Sequence, residues 1–157
     1  MKKNIRRLAV CIALPLLVGA VSGFLTRNSM ETFAMVEKPP LSPSAWLFPV
    51  VWTILYTLMG ISSYLVIESQ SNPQEKQKAI NVYFYQLIVN FLWPVFFFNL
   101  GWYLFAFFWL VLLFVLVFIT FLRFYEISKL AGYLLIPYLL WLLFAGYLNL
   151  GIWYLNR

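Results

Sequence analysis

An uninterrupted stretch of 44 uncharged residues, 79–122, constrains the fold of this chain more than any other feature. A helix that crosses a lipid bilayer needs about 20 apolar residues, so the stretch is long enough for two crossings. Asn99, Leu100 and Gly101 lie near its middle and predict a tight turn there. Further uncharged runs lie at 8–26, 39–67 and 130–156. The sequence therefore predicts five membrane-spanning segments, at about 6–26, 45–67, 79–98, 102–123 and 131–154.

Composition and the constraints of lipid together predict an all-α membrane protein. Hydrophobic residues make up 64% of the 157-residue chain and charged residues only 10%, whereas a soluble domain carries about 25% charged residues. Within lipid, every backbone N–H and C=O group must be paired inside the protein, which leaves only helices or closed barrels. The apolar runs lack the apolar/polar alternation of barrel strands. We therefore predict a single domain, residues 1–157, that forms a polytopic bundle of five transmembrane helices.

The distribution of Lys and Arg predicts how the chain is oriented in the membrane. Five crossings place eight of these residues on the N-terminal side: Lys2, Lys3, Arg6, Arg7, Lys76, Lys78, Arg123 and Lys129. Only Arg27, Lys38 and Arg157 lie on the other side. Because Lys and Arg collect in cytoplasmic loops, we expect the N-terminus in the cytoplasm and the C-terminus outside. The same rule accounts for the net charge of +6, so no nucleic-acid partner is predicted.

The first apolar segment admits two interpretations. Its basic start, apolar stretch and small-residue end are typical of a cleaved signal peptide. The apolar run from Leu8 to Leu25 has 18 residues, longer than the ~7–15 usual in such signals, which favours a retained span. Gly19 and Gly23 would give that helix a small-residue face for close packing against a neighbour.

The chemistry that the chain lacks excludes several classes of function. There is no histidine, and all five acidic residues lie in the predicted connections. A haem or zinc site with histidine ligands and any histidine-based catalytic triad are therefore excluded. Ion-driven transport usually needs ionisable residues inside the helices, and the predicted spans carry no carboxylate. We predict no metal site, no cofactor and no conventional acid–base catalysis.

The third predicted span carries two amides and an indole on one face. Tyr83, Gln86, Asn90, Trp93 and Phe97 follow one another at steps of three or four residues, so they share a stripe of one helix. A carboxamide in hydrocarbon costs several kcal/mol unless it is paired, so these groups must face protein or a cavity. Two interpretations stay open for them: hydrogen bonds between helices, or contacts to a ligand.

Spans two and five carry similar stripes. Span two contains Pro49, Trp52, Thr53, Tyr56, Gly60 and Ser63 at helical spacing. Span five contains Pro137, Trp141, Ala145 and Asn149, each four residues after the last. Three such stripes in three helices favour one shared ligand site over unrelated packing.

The connection at 27–45 lies above this predicted site. At 1.5 Å per residue, Trp52, Trp93, Trp141 and Asn90 fall in the half of the membrane next to that connection. It contains Pro39, Pro40 and Pro43, which stiffen a loop because proline fixes φ. The segment is predicted to be a semi-rigid lid, the alternative being a surface loop with no role.

Three blocks of this sequence resemble one protein family. They read EKPPLSPSAWLFPVVWTILYTLMG, YQLIVNFLWPVFF and IPYLLWLLFAGYLNLGIWYLN, and they occur in the order found in the tryptophan-rich sensory protein/translocator protein family (TspO/MBR). The resemblance runs along essentially the whole chain. It implies a five-helix bundle, usually a homodimer, with a pocket under the first loop that binds porphyrins or isoquinoline and benzodiazepine-type drugs.

The resemblance also implies which residues line that pocket. Trp52, Tyr56, Asn90, Trp93, Trp141 and Ala145 match pocket positions of the family, and Gln86 and Asn149 match motif positions nearby. The implied function is an integral membrane protein that binds or senses a porphyrin or a similar flat apolar ligand. The alternatives are transport of such a ligand and its light- and oxygen-dependent breakdown, in which Trp52 and Trp141 would take part. Phe33, Leu41 and Ser44 depart from the family's loop pattern, which predicts a less aromatic lid.

Overall fold

The computed structural model describes residues 4–157, and the regular elements within that range are all helical. Seven α-helices follow one another: α1 (Ile5–Thr26), α2 (Met30–Ala34), α3 (Leu47–Glu68), α4 (Pro73–Pro94), α5 (Tyr103–Ile127), α6 (Lys129–Tyr133) and α7 (Ile136–Leu155). A 3₁₀ turn (Arg27–Ser29) joins α1 to α2, and a π-helical turn (Val95–Asn99) extends α4. Five segments are long and apolar enough to cross a membrane: Ile5–Ala34, Leu47–Glu68, Pro73–Asn99, Tyr103–Ile127 and Lys129–Leu155. The predicted all-α fold with five spans is confirmed.

The helices extend beyond the predicted spans where charged residues flank them. The third span was predicted to begin at residue 79, yet α4 begins at Pro73. The Asn72 side chain accepts a hydrogen bond from the Gln74 backbone N–H (2.8 Å), and Pro73 occupies the first turn, where its missing N–H costs nothing. Charged residues in the sequence indicate the edge of the apolar segment, whereas the capping residues determine where the helix itself begins.

The fifth span is two helices where one was predicted. It breaks at Leu134 and Leu135, between α6 and α7. Pro137 lies in the first turn of α7, and a proline there cannot supply the N–H that a continuous helix would need. The predicted turn at 99–101 is present, since Gly101 has φ +63°, a conformation that glycine adopts at little cost.

The five spans form a closed ring with one loose seam. α1 packs against α3 and α4, α4 packs against α5, and α5 packs against α7. α3 and α7 complete the ring, although few of their residues come close to each other. The short helix α6, which precedes α7, also packs against α3. We call the end of the bundle that carries the 35–46 connection the loop end, and the opposite end, where α1 begins, the N-terminal end.

Glycine allows two close approaches between α1 and α3. A methyl group at Gly60 would lie 2.6 Å from the Cys11 carbonyl oxygen, so α3 meets the α1 backbone directly at this point. A methyl group at Gly19 would overlap the ring of Tyr56. Gly23 has no neighbour within 4 Å, so only one of the two glycines predicted to pack in α1 does so. Gly19 thereby leaves room for the Tyr56 ring, whose hydroxyl lies at the centre of the candidate site.

Candidate ligand site

Four hydrogen-bonded side chains connect α3, α4 and α7 inside the bundle. The Tyr56 hydroxyl donates to Oδ1 of Asn90 (2.7 Å), and Nδ2 of Asn90 donates to the Tyr138 hydroxyl (2.6 Å). The Tyr138 hydroxyl in turn donates to Oε1 of Gln86 (2.9 Å). Nε2 of Gln86 ends the chain against the Met59 sulfur at 3.8 Å. We call Tyr56, Asn90, Tyr138 and Gln86 the polar clasp.

The polar clasp is buried and its groups are paired. Gln86 is 1% exposed and Asn90 is 3% exposed, and each amide finds its partners within the protein. An interhelical hydrogen bond in a membrane contributes about 0.6–2 kcal/mol. In this structure the two amides of the α4 stripe therefore bond to neighbouring helices, which is one of the two roles that their spacing allowed.

Tyr138 is the member of the clasp that sequence reasoning missed. It joins the two amides and is almost completely buried. It lies three residues before Trp141, so its place on the same face of α7 was readable from the spacing. The predicted stripe counted only residues four apart, starting from Pro137, and therefore left out Tyr138, which is three residues from Trp141.

Trp52 packs on the α3 side of the clasp. Its ring centroid lies 5.5 Å from that of Tyr56 and 6.1 Å from that of Tyr138, the second contact being edge-to-face. Aromatic pairs in this range of distances attract each other beyond the area they bury. Trp52 is thus held beside the hydrogen-bonded groups, and it remains partly exposed.

Trp93 and Asn149 form a second polar pair nearer the loop end. The indole N–H of Trp93 donates to Oδ1 of Asn149 (3.1 Å), and Nδ2 of Asn149 donates to the Tyr103 carbonyl oxygen (2.7 Å). The Trp93 ring stacks on Phe97 with 4.9 Å between centroids. Phe33, from α2, contacts Phe97 from above at 5.6 Å. Aromatic rings therefore fill the space between this pair and the loop.

Trp141 lies apart from both polar groups, on a groove between α3 and α7. Its ring contacts Phe48 (5.9 Å) and Phe144 (5.5 Å). The groove has a volume of about 390 Å³ and opens sideways, away from the bundle axis. Its lining consists of Val51, Ile54, Leu55, Pro137, Leu140, Trp141 and Phe144. Ala145, one turn further along α7, is buried.

The eight predicted site residues thus fall into three groups. The first comprises Trp52, Tyr56, Gln86 and Asn90, which gather around Tyr138. The second is the hydrogen-bonded pair of Trp93 and Asn149. The third consists of Trp141, which lines the groove between α3 and α7, and Ala145, which is buried in the core one turn further along α7. All three groups involve α7, which makes that helix the common element of the candidate site.

The 35–46 connection is attached to α7 by side chains and by close packing. Oδ1 of Asn156 accepts from the Glu37 backbone N–H (3.0 Å), and Nδ2 of Asn156 donates to the Glu37 carbonyl oxygen (2.8 Å). The Tyr147 hydroxyl donates to the Pro40 carbonyl oxygen (2.8 Å). Pro39 packs against Gly151 so closely that a methyl group there would lie 2.7 Å from the proline ring. These contacts fix the connection on the end of α7.

Leu41 shows how the altered loop sequence is used. It stands where the family pattern has a tryptophan, and it is 83% exposed with φ +68°. Its side chain therefore adds little to the underside of the loop. A less aromatic lid than in the family stays a prediction.

The candidate site is electrically neutral. The ion pairs of the described residues lie at the N-terminal end, where Arg7 pairs with Glu68 and where Glu75 lies between Lys78 and Arg123. Within residues 4–157, no cluster of three or more Cys, Asp or Glu side chains could hold a metal ion. The site offers indole and phenol rings, amide donors and acceptors, and small apolar side chains, which are the components of an orientation-fixing pocket for an apolar ligand.

These features define an integral multi-pass membrane protein with an aromatic and amide-bearing face on its last helix. Residues 11–155 match the model of the TspO/MBR family, and the chain belongs to that family. It is 38% identical over 157 residues to the tryptophan-rich protein TspO of Chlorobaculum tepidum, with 99% of each chain covered. It is 40% identical over 154 residues to the protein of the same name from Archaeoglobus fulgidus, covering 98% of this chain and 99% of the relative. The translocator protein of Bos taurus is 34% identical over 149 residues, covering 92% and 86%.

Proposed function

We propose that this protein binds, and by binding senses, a flat and largely apolar ligand of the porphyrin class in the half of the membrane at the loop end. The observation that carries the proposal is the position of Trp52 against the polar clasp, which places an indole face beside amide and phenol groups. Trp52 and Trp141 would supply π faces, and Ala145 would leave space beside them. Amide groups of the clasp would fix the orientation of the ligand.

Ligand contact with the clasp would require an exchange of hydrogen bonds. Asn90 uses its acceptor on Tyr56 and one donor on Tyr138, so a ligand must replace one of these partners or bind beside them. Pyrrole N–H groups of the ligand could take the place of a donor in the chain, because amide oxygens and phenol hydroxyls accept hydrogen bonds. A hydroxyl released in this way must pair with the ligand in turn, because a buried polar group left unpaired costs about 1–3 kcal/mol.

The test is quenching of intrinsic tryptophan fluorescence by protoporphyrin IX in detergent. We expect the Asn90→Ala/Trp141→Ala double variant to bind at least about tenfold more weakly, since one hydrogen bond and one ring contact of about 1 kcal/mol each are removed. Trp102→Phe is the matched control, because Trp102 is exposed at the loop end outside all three groups. Size-exclusion profiles identify variants that still fold. Equal affinity in the wild type and a folded double variant would remove the site assignment.

Transport is the second candidate, and the name of the Bos taurus relative, translocator protein, supports it. Flux of porphyrin into proteoliposomes above a lipid-only control separates transport from binding. Light- and oxygen-dependent breakdown of porphyrin, with Trp52 and Trp141 taking part, is the remaining alternative. Illumination in oxygen followed by product analysis tests it, and loss at equal rates in Trp52→Phe, Trp141→Phe and wild type would identify ordinary photobleaching.

We also propose a cytoplasmic N-terminus and a homodimer in the membrane. The excess of Lys and Arg at the N-terminal end supports the first, through the rule that such residues stay in the cytoplasm. Reaction of a Gln70→Cys variant, made in a Cys11→Ala background, with a membrane-impermeant maleimide in intact cells would contradict it. Light scattering in detergent, corrected for bound detergent, gives the number of chains.

A further inference from the structure

The groove between α3 and α7 shares Trp141 with the candidate ligand site, but the rest of its lining belongs to neither polar group. We call it the side groove and define it by Val51, Ile54, Leu55, Pro137, Leu140, Trp141 and Phe144. Aliphatic, aromatic and proline side chains make up this entire set. The polar clasp lies deeper in the bundle, since Leu55 is buried in the core beside Tyr56. The side groove is therefore an apolar space on the outer surface of the ring.

Contacts at both ends bound the side groove. Toward the loop end, the rings of Phe48 and Trp141 meet edge-to-face and bridge α3 to α7. Toward the N-terminal end, α6 packs against α3 and closes the seam. The space is consequently a slot of limited length, with a volume of about 390 Å³.

The slot faces the hydrocarbon of the bilayer. Its rim residues point outward, with Leu140 62% exposed and Ile54 53% exposed. Both α3 and α7 belong to segments that cross the membrane, so the surroundings of this rim are acyl chains. An apolar space of this kind does not hold water, because it offers water no hydrogen-bond partner. Left empty, its walls would lose dispersion contacts along their whole length.

We propose that the side groove is a binding site for one acyl chain of a membrane phospholipid. The chain lies between α3 and α7, against Leu55 and one face of Trp141, and the contacts at the two ends hold it in register. The volume lies within the ~300–1,000 Å³ range of small-molecule sites. A chain held this way differs from the lipid around the protein, because side chains of two helices flank it.

Bromine quenching of Trp141 tests this site. The protein is reconstituted in phosphatidylcholine vesicles whose acyl chains carry bromine near their middle, and in unbrominated vesicles for comparison. The quenching that belongs to Trp141 is obtained by subtracting the signal of Trp141→Phe from that of the unmodified protein. We expect Trp141 to be strongly quenched, because a bound chain lies against its ring.

Filling the groove tests whether the acyl chain that quenches Trp141 lies within it. We expect Val51→Phe to lose most of the Trp141 quenching, because the larger ring occupies the slot. Val50→Phe is the matched control, since Val50 is the exposed neighbour outside the lining and its replacement should leave the quenching unchanged. Leu140→Phe, paired with Leu143→Phe as its exposed control, repeats the comparison from α7. Each substitution is measured alone and again in combination with Trp141→Phe, so that the quenching of Trp141 is obtained by subtraction for every variant.

Equal quenching in the filling variants and their controls would overturn the proposal, because Trp141 would then sense only the surrounding lipid. The second pair of variants keeps the test decisive if Val51→Phe does not fold. Porphyrin is absent from the experiment, so its outcome does not depend on whether the protein binds one.

Discussion

The hydroxyl of Tyr56 donates a hydrogen bond of 2.7 Å to Oδ1 of Asn90, and this bond joins α3 to α4 deep within the ring. Both residues are almost fully buried, so water cannot replace either partner. The same amide continues to Tyr138 on α7, which makes Asn90 the point where three helices meet. Any change at this point acts on the alignment of all three helices.

Tyr56→Phe should destabilise the protein although it removes a single oxygen. Oδ1 of Asn90 would lose its donor while staying buried, at a cost of about 1–3 kcal/mol. The measurement is thermal unfolding in detergent. Tyr85→Phe is the matched control, because Tyr85 is 60% exposed and its hydroxyl has no described partner in the bundle. A midpoint for Tyr56→Phe as high as that of the control would contradict the importance of this bond.

How far the sequence predicted this site can be judged from Asn90 and Trp141. Helical spacing placed Gln86, Asn90 and Trp93 on one face, and the structure has that face turned inward. Spacing within one helix could not show that the amides bond to tyrosines, since that depends on the rotation of α3 and α7 about their axes. Their spacing places Trp141 and Asn149 on one face of α7. They nevertheless fall into different groups, because Trp141 lines the groove between α3 and α7 whereas Asn149 bonds to Trp93 in the packed core.

The number of membrane spans was predictable from the sequence, whereas the exact ends of the helices were not. Lipid forces the chain into helices of a set length, so uncharged runs fixed the number of spans. The break between α6 and α7 and the early start of α4 depend on Pro137 and Asn72, which act through local caps and missing donors. Such effects shift boundaries without altering the count.

Asn156→Ala should loosen the connection between α2 and α3. The substitution removes both hydrogen bonds that hold the Glu37 backbone to the end of α7. We expect faster hydrogen–deuterium exchange at the amides of the 35–46 segment, measured by mass spectrometry in detergent. The rest of the bundle should exchange as in the wild type. Asn28→Ala, an exposed asparagine at the same end, serves as the control.

An unchanged exchange rate in the 35–46 segment of Asn156→Ala would mean that packing alone holds the connection. Gly151 gives an independent test of that packing. Gly151→Ala would place a methyl group 2.7 Å from the Pro39 ring and should push the connection off α7, again raising exchange. Gly146→Ala is its control on the same helix, because the added methyl group would lie 3.9 Å from its nearest neighbours.

Gly60→Ala should weaken the contact between α1 and α3. The new methyl group would lie 2.6 Å from the Cys11 carbonyl oxygen, against backbone that cannot rotate away, so the helices must separate. Overpacking of this kind costs about 1–3 kcal/mol. Gly23→Ala, also within a helix but with nothing within 4 Å, should instead keep or raise stability, because alanine favours helix by about 1 kcal/mol over glycine. Unfolding midpoints in detergent report both changes, and a Gly60→Ala midpoint equal to that of Gly23→Ala would show that α1 and α3 are free to move apart at no cost.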